Sequence, residues 1–593
     1  MILHALADYY NRLRKEKSQD MAPFGFEKKE IPFLIVLDEK GDFLSLRDTR
    51  VGEGRKKRAR KFLVPKGEKK TSGIKANLLW DTPQYIFGTP KLKKGQEEPT
   101  KKDISKAKQA QMAFLERIIN VFGEDFDDKG IAAVISFLKA GDFKEIFSNP
   151  LWEEIKETHP NMTFVLADDE QLLIAQRPKV MEKIEEVMKP EGNKQACLVS
   201  GELDVPATLH TAIKGVWGAQ SSGANIVSFN KESFCSQNYW KKQGLNAPVG
   251  QRAEFAYTTA LNYLLANGSR QRMQVGDTST VFWADKTHPF EEDFSCFLGE
   301  PPKGEEPDYG KLRTLLKAVK TGVLPEEDSM DFHVLGLAPN ASRLAIRFWY
   351  QGSIAELKRR IARHFMDFEV VKSDRDREHL SLFQILVAIA PEGKADNIPP
   401  NLGGELMRSI LNDLPYPGTL LSGAIRRCKA EQQVTRARAA IIKACLVREA
   451  RFKQKKGKEV SMALDKTYDN IGYVLGRLFA ILERIQEQAL GGNLNKTIRD
   501  TYFGAASSSP LVTFRRLNDL AIHHLAKIRN SGGSTVWFEK HLQEVMDKVP
   551  SSGIPTILSL EDQGRFAVGY YHQRQDFFTK KEEDVSTKEA TRQ

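Results

Sequence analysis

Apolar positions recur at helical spacing from the start of the chain. In MILHALADYYNRLRK, Ile2, Leu3, Leu6, Tyr10 and Leu13 fall on one face and predict a helix. IPFLIVLDEKGDFLSLRD, Ile31 to Asp48, changes period: two apolar, β-prone runs flank a Glu-Lys-Gly turn and predict a hairpin. QMAFLERIINVF and IAAVISFLKA return to helical spacing, so the first two thirds read as mixed α/β. The pattern changes near LPYPGTLLSG, Leu414 to Gly423, beyond which the periodic stretches are almost all helical. They begin with AIRRCKAEQQVTRARAAIIKACLVREARFK and continue through YVLGRLFAILERIQEQALGG, LVTFRRLNDLAIHHLAKI and TVWFEKHLQEVMDKV. In the last of them, SLEDQGRFAVGYYHQRQDFF, Ser559 is placed as an N-cap with Asp562 three residues on. Phe566, Tyr570 and Phe577 then line one column, and rings at that spacing predict core packing, with His572 and Arg574 beside the stripe in reach of a partner or a phosphate.

The fold class these patterns predict is α+β. Mixed α/β regions over 1–190 and 191–414 precede a helical region over 415–593, with a small bundle from about residue 462. GTPKLKKGQEEPTKKD (88–103) and LGEPPKGEEPDYG (298–310) are rich in Pro, Gly and charge, as surface connections are. The longest apolar runs, such as QILVAIA, fall far short of the roughly 18 residues a membrane span needs, so no membrane partner is expected. The N-terminus lacks the basic start and cleavage site of a signal peptide, which predicts a mature chain beginning at Met1 in the cytoplasm. Five scattered cysteines without a CxxC pair suggest neither a disulfide framework nor a zinc knuckle, and predict reduced, mostly buried thiols.

Charge sharpens this picture, because the net +11 is unevenly distributed. Arg47 to Lys75 holds 12 Lys or Arg against 3 Asp or Glu, a net of +9, and Ile425 to Lys458 holds 12 against 2, a net of +10. Two short blocks therefore carry more than the whole excess, as expected of segments facing a polyanion; solvated surface loops are the alternative. The candidate polyanion-binding cations are Arg50, Arg55, Lys56, Lys57, Arg58, Arg60 and Lys61 in the first block. In the second they are Arg426, Arg427, Arg436, Arg438 and Lys443. Glycines at 52, 54, 67 and 73 keep the first block from being a regular helix and predict a loop that orders on its partner.

Catalytic constellations are sparse. GAQSSGAN, Gly218 to Asn225, has the glycine spacing of a phosphate loop but Ala224 and Asn225 where Lys and Ser or Thr would stand, which argues against nucleotide hydrolysis. Its short polar groups suit backbone approach to a groove or phosphate, an ordinary tight turn being the alternative, and IVSFN beside it reads as a strand. The acidic runs EDFDD, ADDE and SDRDRE lack an adjacent His-Asp pair, and no set of nucleophile, base and orienting group emerges. The expectation is a non-enzyme without cofactor or metal. Groups able to reach base edges stand in two small polar stretches: Thr71, Ser72, Gly73, Lys75 and Asn77, and Gln220, Ser221, Ser222 and Asn225.

MILHALADYYNRL, SGIKANLLWD, CLVSGE, LHTAIKGVWGAQSSGANIVSFN, NAPVGQRAEFAYTTALNYLL, VLGLAPNASRLAIRFW, GRLFAILERIQ, TIRDTYFGAASSSP and QGRFAVGYYHQRQDFF occur in this order. Together they resemble the large subunit of the type I-C CRISPR interference complex, Cascade, from Met1 to about Phe578. The resemblance implies a non-catalytic subunit that recognises the protospacer-adjacent motif in double-stranded target DNA, helps open it and holds the displaced single strand. It implies as partners a guide RNA complex with backbone and guide-processing subunits, a helicase-nuclease, and a small helical subunit made by internal translation, for which Met462 is a well-placed start. A stand-alone metal-dependent nuclease and an RNA-binding scaffold are the readings held against it.

Overall fold

The computed structural model describes residues 1–16, 21–52, 57–68, 70, 73–92, 98–169, 171–236, 239–300, 309–322, 329–373, 376–491 and 495–578. The chain forms two compact units, neither of them contiguous. The first takes in Leu3–Thr211 and Phe229–Ala260, the second Ala212–Ser228 and everything from Leu261 onward.

In the first unit, strands β1 (Phe26–Glu30), β2 (Phe33–Leu37), β3 (Phe43–Asp48), β4 (Lys61–Pro65), β5 (Trp80–Asp81) and β6 (Met162–Leu166) form two sheets. β1 and β4 pair alone; the other sheet runs β3-β2-β6-β5. The predicted hairpin is β2 and β3, and its turn is held by the Asp38 carboxylate, which accepts N–H bonds from Lys40 and Asp42. β2 and β6 are the parallel pair of this sheet, buried along their whole length like most parallel strands. Ile31, Leu34, Val36, Val64, Trp80 and Val165 make one core cluster. β7 (Gln195–Ala196) and β8 (Leu203–Asp204) add a short antiparallel ribbon.

The second unit opens with an antiparallel sheet ordered β12-β11-β10-β9, from β9 (Arg272–Val275), β10 (Thr278–Ala284), β11 (Asp331–Asn340) and β12 (Arg343–Ser353). The last strand ends at Ser353 and every later element is helical, so helix takes over well before Leu414. The helices Ile354–Phe368, Leu382–Ile389 and Leu402–Asn412 share one continuous core with the sheet and with the helices that follow, whose ranges include Gly418–Glu431 and Arg436–Phe452.

The helices Ile471–Leu490 and Leu560–Phe578 meet backbone to backbone. A Cβ at Gly476 would lie 2.0 Å from the Phe566 carbonyl oxygen, one at Gly569 2.3 Å from that of Tyr473, and one at Gly472 2.4 Å from that of Asp562. The Ser559 cap is present, accepting the Asp562 N–H at 3.1 Å. Phe566 and Tyr570 are buried as the spacing predicts, their rings 5.5 to 6.5 Å from those of Phe479, Phe503 and Phe514, and Tyr570 donates to buried Glu483 at 2.7 Å. His572 departs from expectation. It is fully buried against the Tyr473 hydroxyl at 3.0 Å, and burial pushes its pKa down to about 3, so it reaches neither partner nor phosphate. Arg574 is held by Glu487 at 2.9 Å. Cys197, Cys428 and Cys445 are buried, Cys235 half-buried and Cys296 exposed.

Candidate nucleic-acid interface

The first basic block is an arm between β3 and β4. Its base is closed by a two-way backbone bridge, Val51 N–H to the Arg58 carbonyl at 2.9 Å and the reverse at 3.0 Å. Gly52 turns the chain with φ +110°, a conformation that favours glycine. Arg55 and Lys56 lie outside the described residues. Lys57, Arg58, Arg60 and Lys61 are exposed at this base and at the start of β4, and Arg60 lies over the Phe62 ring at 5.4 Å. Arg50 belongs to the same run of sequence but turns inward: it bonds Asp48 at 2.8 Å and Glu154, and lies over Phe33 at 4.6 Å. Hydrogen bonds from this guanidinium hold both carboxyls below their usual range. Its donors serve this fold, and it is withdrawn as a DNA contact.

The described residues between β4 and β5 are gathered around Asp81. Its buried carboxylate accepts from Asn77 N–H at 2.8 Å, Thr82 N–H at 2.8 Å and Lys70 Nζ at 2.6 Å, while burial pushes its pKa up. Lys70 also lies 3.6 Å from the Tyr85 ring centroid. Arg117 pins the same loop through the Ala76 carbonyl at 2.7 Å and Glu68 at 2.8 Å. Asn77 is therefore not a base-reading residue: it is buried, with its side-chain oxygen accepting the Glu68 N–H at 2.9 Å. Gly73, at φ +74°, and Lys75 are exposed on the tip, while Thr71 and Ser72 lie outside the described residues.

In the second unit, GAQSSGAN forms most of a hairpin tip. Ile213 and Ala224 exchange backbone bonds at 2.8 and 2.9 Å, and Gln220, Ser221 and Ser222 stand on the loop they close. Asn225 is half-buried, its carbonyl accepting from Leu344 N–H at 3.0 Å, so its backbone serves as a seam to β12. IVSFN, predicted as a strand over 226–230, pairs with no strand, and the bridge to Arg343 is made by Asn225 just before it.

The second basic block meets a different fate. Arg426 is exposed. Arg427 pairs with Glu431, and Arg436 donates to the carbonyls of Arg377 at 2.6 Å and Glu378 at 3.1 Å. Arg438 is buried, bonded to Glu431 and to the carbonyls of Ala388 and Gln433. Lys443 is buried with its ammonium on the carbonyls of Met366 at 3.2 Å and Asp367 at 3.0 Å, and burial pulls its pKa down. Arg438 and Lys443 are thus corrected from polyanion contacts to internal ties, while Arg427 and Arg436 are half-buried and spend donors on Glu431 and on the carbonyls of Arg377 and Glu378. Burial next to apolar helices makes an unpaired cation costly, and Arg438 and Lys443 find carbonyl and carboxylate partners from within the fold.

Missed in the sequence was the buried centre those ties surround. Arg448, 1% exposed, bonds Asp367 at 2.8 Å and the Ser409 carbonyl at 3.2 Å, and stacks on Tyr416 at 4.2 Å. Arg451 adds a second guanidinium to Asp367 at 2.7 Å, so three helices are joined around one carboxylate. Burial pushes the Asp367 carboxyl up while both guanidiniums pull it back. Among the described residues no three His, Cys, Asp or Glu side chains are grouped to hold a metal ion, and no helix is long and apolar enough to cross a membrane.

Fold and site together define a large α+β protein whose candidate contact surfaces are glycine-turned loops carrying cations and small polar groups. Residues 6–578 match the family described as CRISPR-associated protein, Cas_Csd1, and the chain belongs to that family. The likeness read from the ordered sequence stretches is thereby borne out. No curated protein matches the chain.

Proposed function

We propose that this chain is the non-catalytic large subunit of a type I-C RNA-guided DNA surveillance complex. In this role it recognises the protospacer-adjacent motif in duplex DNA, aids duplex opening, holds the displaced strand and recruits a helicase-nuclease. Sequence discrimination is left to guide pairing, and the protein contributes cations for phosphate and a few polar groups for base edges. The observation that carries this reading is the bridged arm between β3 and β4, with Lys57, Arg58, Arg60 and Lys61 gathered along it. Four cations at the base of one arm suit a phosphate backbone, and Gly73 and Lys75 on a tip anchored by Asp81 offer the chain's nearest small polar surface in sequence. In the second unit, Gln220, Ser221 and Ser222 offer another.

The test is to assemble the guide complex with and without this chain and compare its binding to matched duplex and matched single strand. Only the duplex should depend strongly on the chain. Replacing Lys57, Arg58, Arg60 and Lys61 with Ser should weaken duplex binding irrespective of sequence. The slope of log affinity against log salt should flatten by up to about 0.9 for each phosphate no longer neutralised. An unchanged slope would remove the arm from the interface.

A further inference from the structure

Trp217 stands in the loop of the Ile213–Ala224 hairpin and is 61% exposed. Trp80, Trp152 and Trp283 are buried and Trp537 is 44% exposed, so among these residues Trp217 is the most exposed to solvent. Its backbone is not loose. The Trp217 N–H donates to the hydroxyl of buried Ser279 at 2.9 Å, and that hydroxyl donates to Gln274 at 2.9 Å. Glycines stand on both sides in positive φ, Gly215 at +85° and Gly218 at +75°, and a Cβ at Gly215 would lie 2.6 Å from the Leu265 carbonyl oxygen. The loop thus fixes the main chain beneath an exposed residue.

Around this ring the tip is polar. Lys214 is exposed three residues before it, and Ser221 and Ser222 are exposed after it, with Gln220 beside them. A flat aromatic face, a cation and short hydrogen-bonding side chains within one ten-residue loop match the three parts of a nucleotide: base face, phosphate and base edge. A ring on a fixed backbone also loses little freedom when it stacks.

We propose that Trp217 stacks on a nucleobase released from its pair, so that this hairpin holds unpaired DNA while the arm of the first unit holds backbone. The proposal rests on the reading of the chain as a DNA-binding subunit and goes further, because it assigns one residue, one contact and one state of the DNA. Base stacking on aromatic side chains does not depend on base identity, since every base has a π-face. Trp217 therefore serves strand capture and carries no reading of sequence.

The experiment titrates the full-length chain with a DNA single strand containing 2-aminopurine, whose fluorescence falls on stacking, and with the same sequence fully paired. Trp217→Ala should weaken binding of the single strand by roughly 5- to 150-fold and abolish the fluorescence change. It should leave binding of the paired duplex within about twofold, that limit being well under one stacked base. Trp217→Phe, which keeps a ring, should restore most of the affinity. Equal weakening on both DNAs, no weakening on either, or a Phe variant as weak as the Ala variant overturns the stacking role. If the wild-type chain binds neither DNA, the DNA-binding reading falls and this proposal with it; if it binds both and Trp217→Ala changes nothing, only the stacking role falls. Exposure of the ring makes a folding defect in either variant unexpected, and an unchanged thermal transition checks this.

Discussion

The two basic blocks carry nearly the same charge, +9 and +10, and the fold uses them in opposite ways. The first sets Lys57, Arg58, Arg60 and Lys61 on an arm whose base is bridged by backbone alone. In the second, cations are folded into helices, where Arg438, Lys443 and Arg448 bond carbonyls and carboxylates of neighbouring helices. Charge density along a sequence therefore does not say which way a cation faces. Its apolar neighbours do: AAIIKACL surrounds Lys443 with residues buried on every side of the helix, and such a helix lies in a core. From Arg55 to Lys61 the first block holds no apolar residue but Ala59, so that stretch has no apolar face to bury.

The sharpest way to break this contrast is Arg448→Ala. Removing one partner strands the Asp367 carboxylate in the interior, and the cost should be about 3 to 5 kcal/mol in denaturant unfolding. A variant that unfolds like the wild type and is defective only in DNA binding would put the second block back at an interface.

Acid offers a second test of how deeply this region is buried. His572 is near Tyr473 and faces the charge of Lys443, and its folded pKa of about 3 lies below the roughly 6.5 of an unfolded histidine. The unfolded state therefore takes up the proton first. The stability tied to neutral His572 is complete above about pH 6.5 and is lost as pH falls toward 3, by up to roughly 1.4 kcal/mol per unit. Between pH 7 and 5 the wild type should lose roughly 2 kcal/mol more than His572→Gln in urea titrations. Parallel pH profiles would mean that His572 already titrates in contact with water.

Arg50 sharpens the comparison from the other side, being a member of the first block that behaves like the second. Arg50→Ala should cost up to about 1 kcal/mol, the range of a partly exposed ion pair, with little change in the salt dependence of DNA binding. The smallest effect on folding is expected from replacing Lys57, Arg58, Arg60 and Lys61 with Ser, within about 0.5 kcal/mol per site, although this variant should be the weakest in DNA binding. A large drop in its thermal midpoint would show that the arm supports the fold.

Local signals that need only near neighbours were legible in the sequence. The β2–β3 hairpin follows from alternation around a turn, the Ser559 cap from its spacing to Asp562, and the burial of Phe566 and Tyr570 from a column of rings. What escaped depended on distant partners. Asn77 looks like a polar loop residue until Asp81 and Glu68 take its main-chain and side-chain bonds. Arg438 looks like a surface cation until the carbonyl of Ala388, fifty residues earlier, accepts from it. IVSFN has the composition of a strand but no neighbour to pair with, the nearest bridge lying at Asn225 before it. Trp217 was present in GVWG, and two glycines around a tryptophan were the available signal of a ring held out on a turn.

The close meeting of the helices Ile471–Leu490 and Leu560–Phe578 has a consequence for heredity. Every codon for glycine begins with two guanines, and a single base change that alters the residue yields one bearing a Cβ, or a stop. At Gly472, Gly476 and Gly569 that carbon would fall 2.0 to 2.4 Å from a carbonyl oxygen of the opposite helix, where nothing flexible can move aside. No one-step missense change at these three codons leaves the helices at their present separation. Drift at these three codons is confined to silent third-base changes.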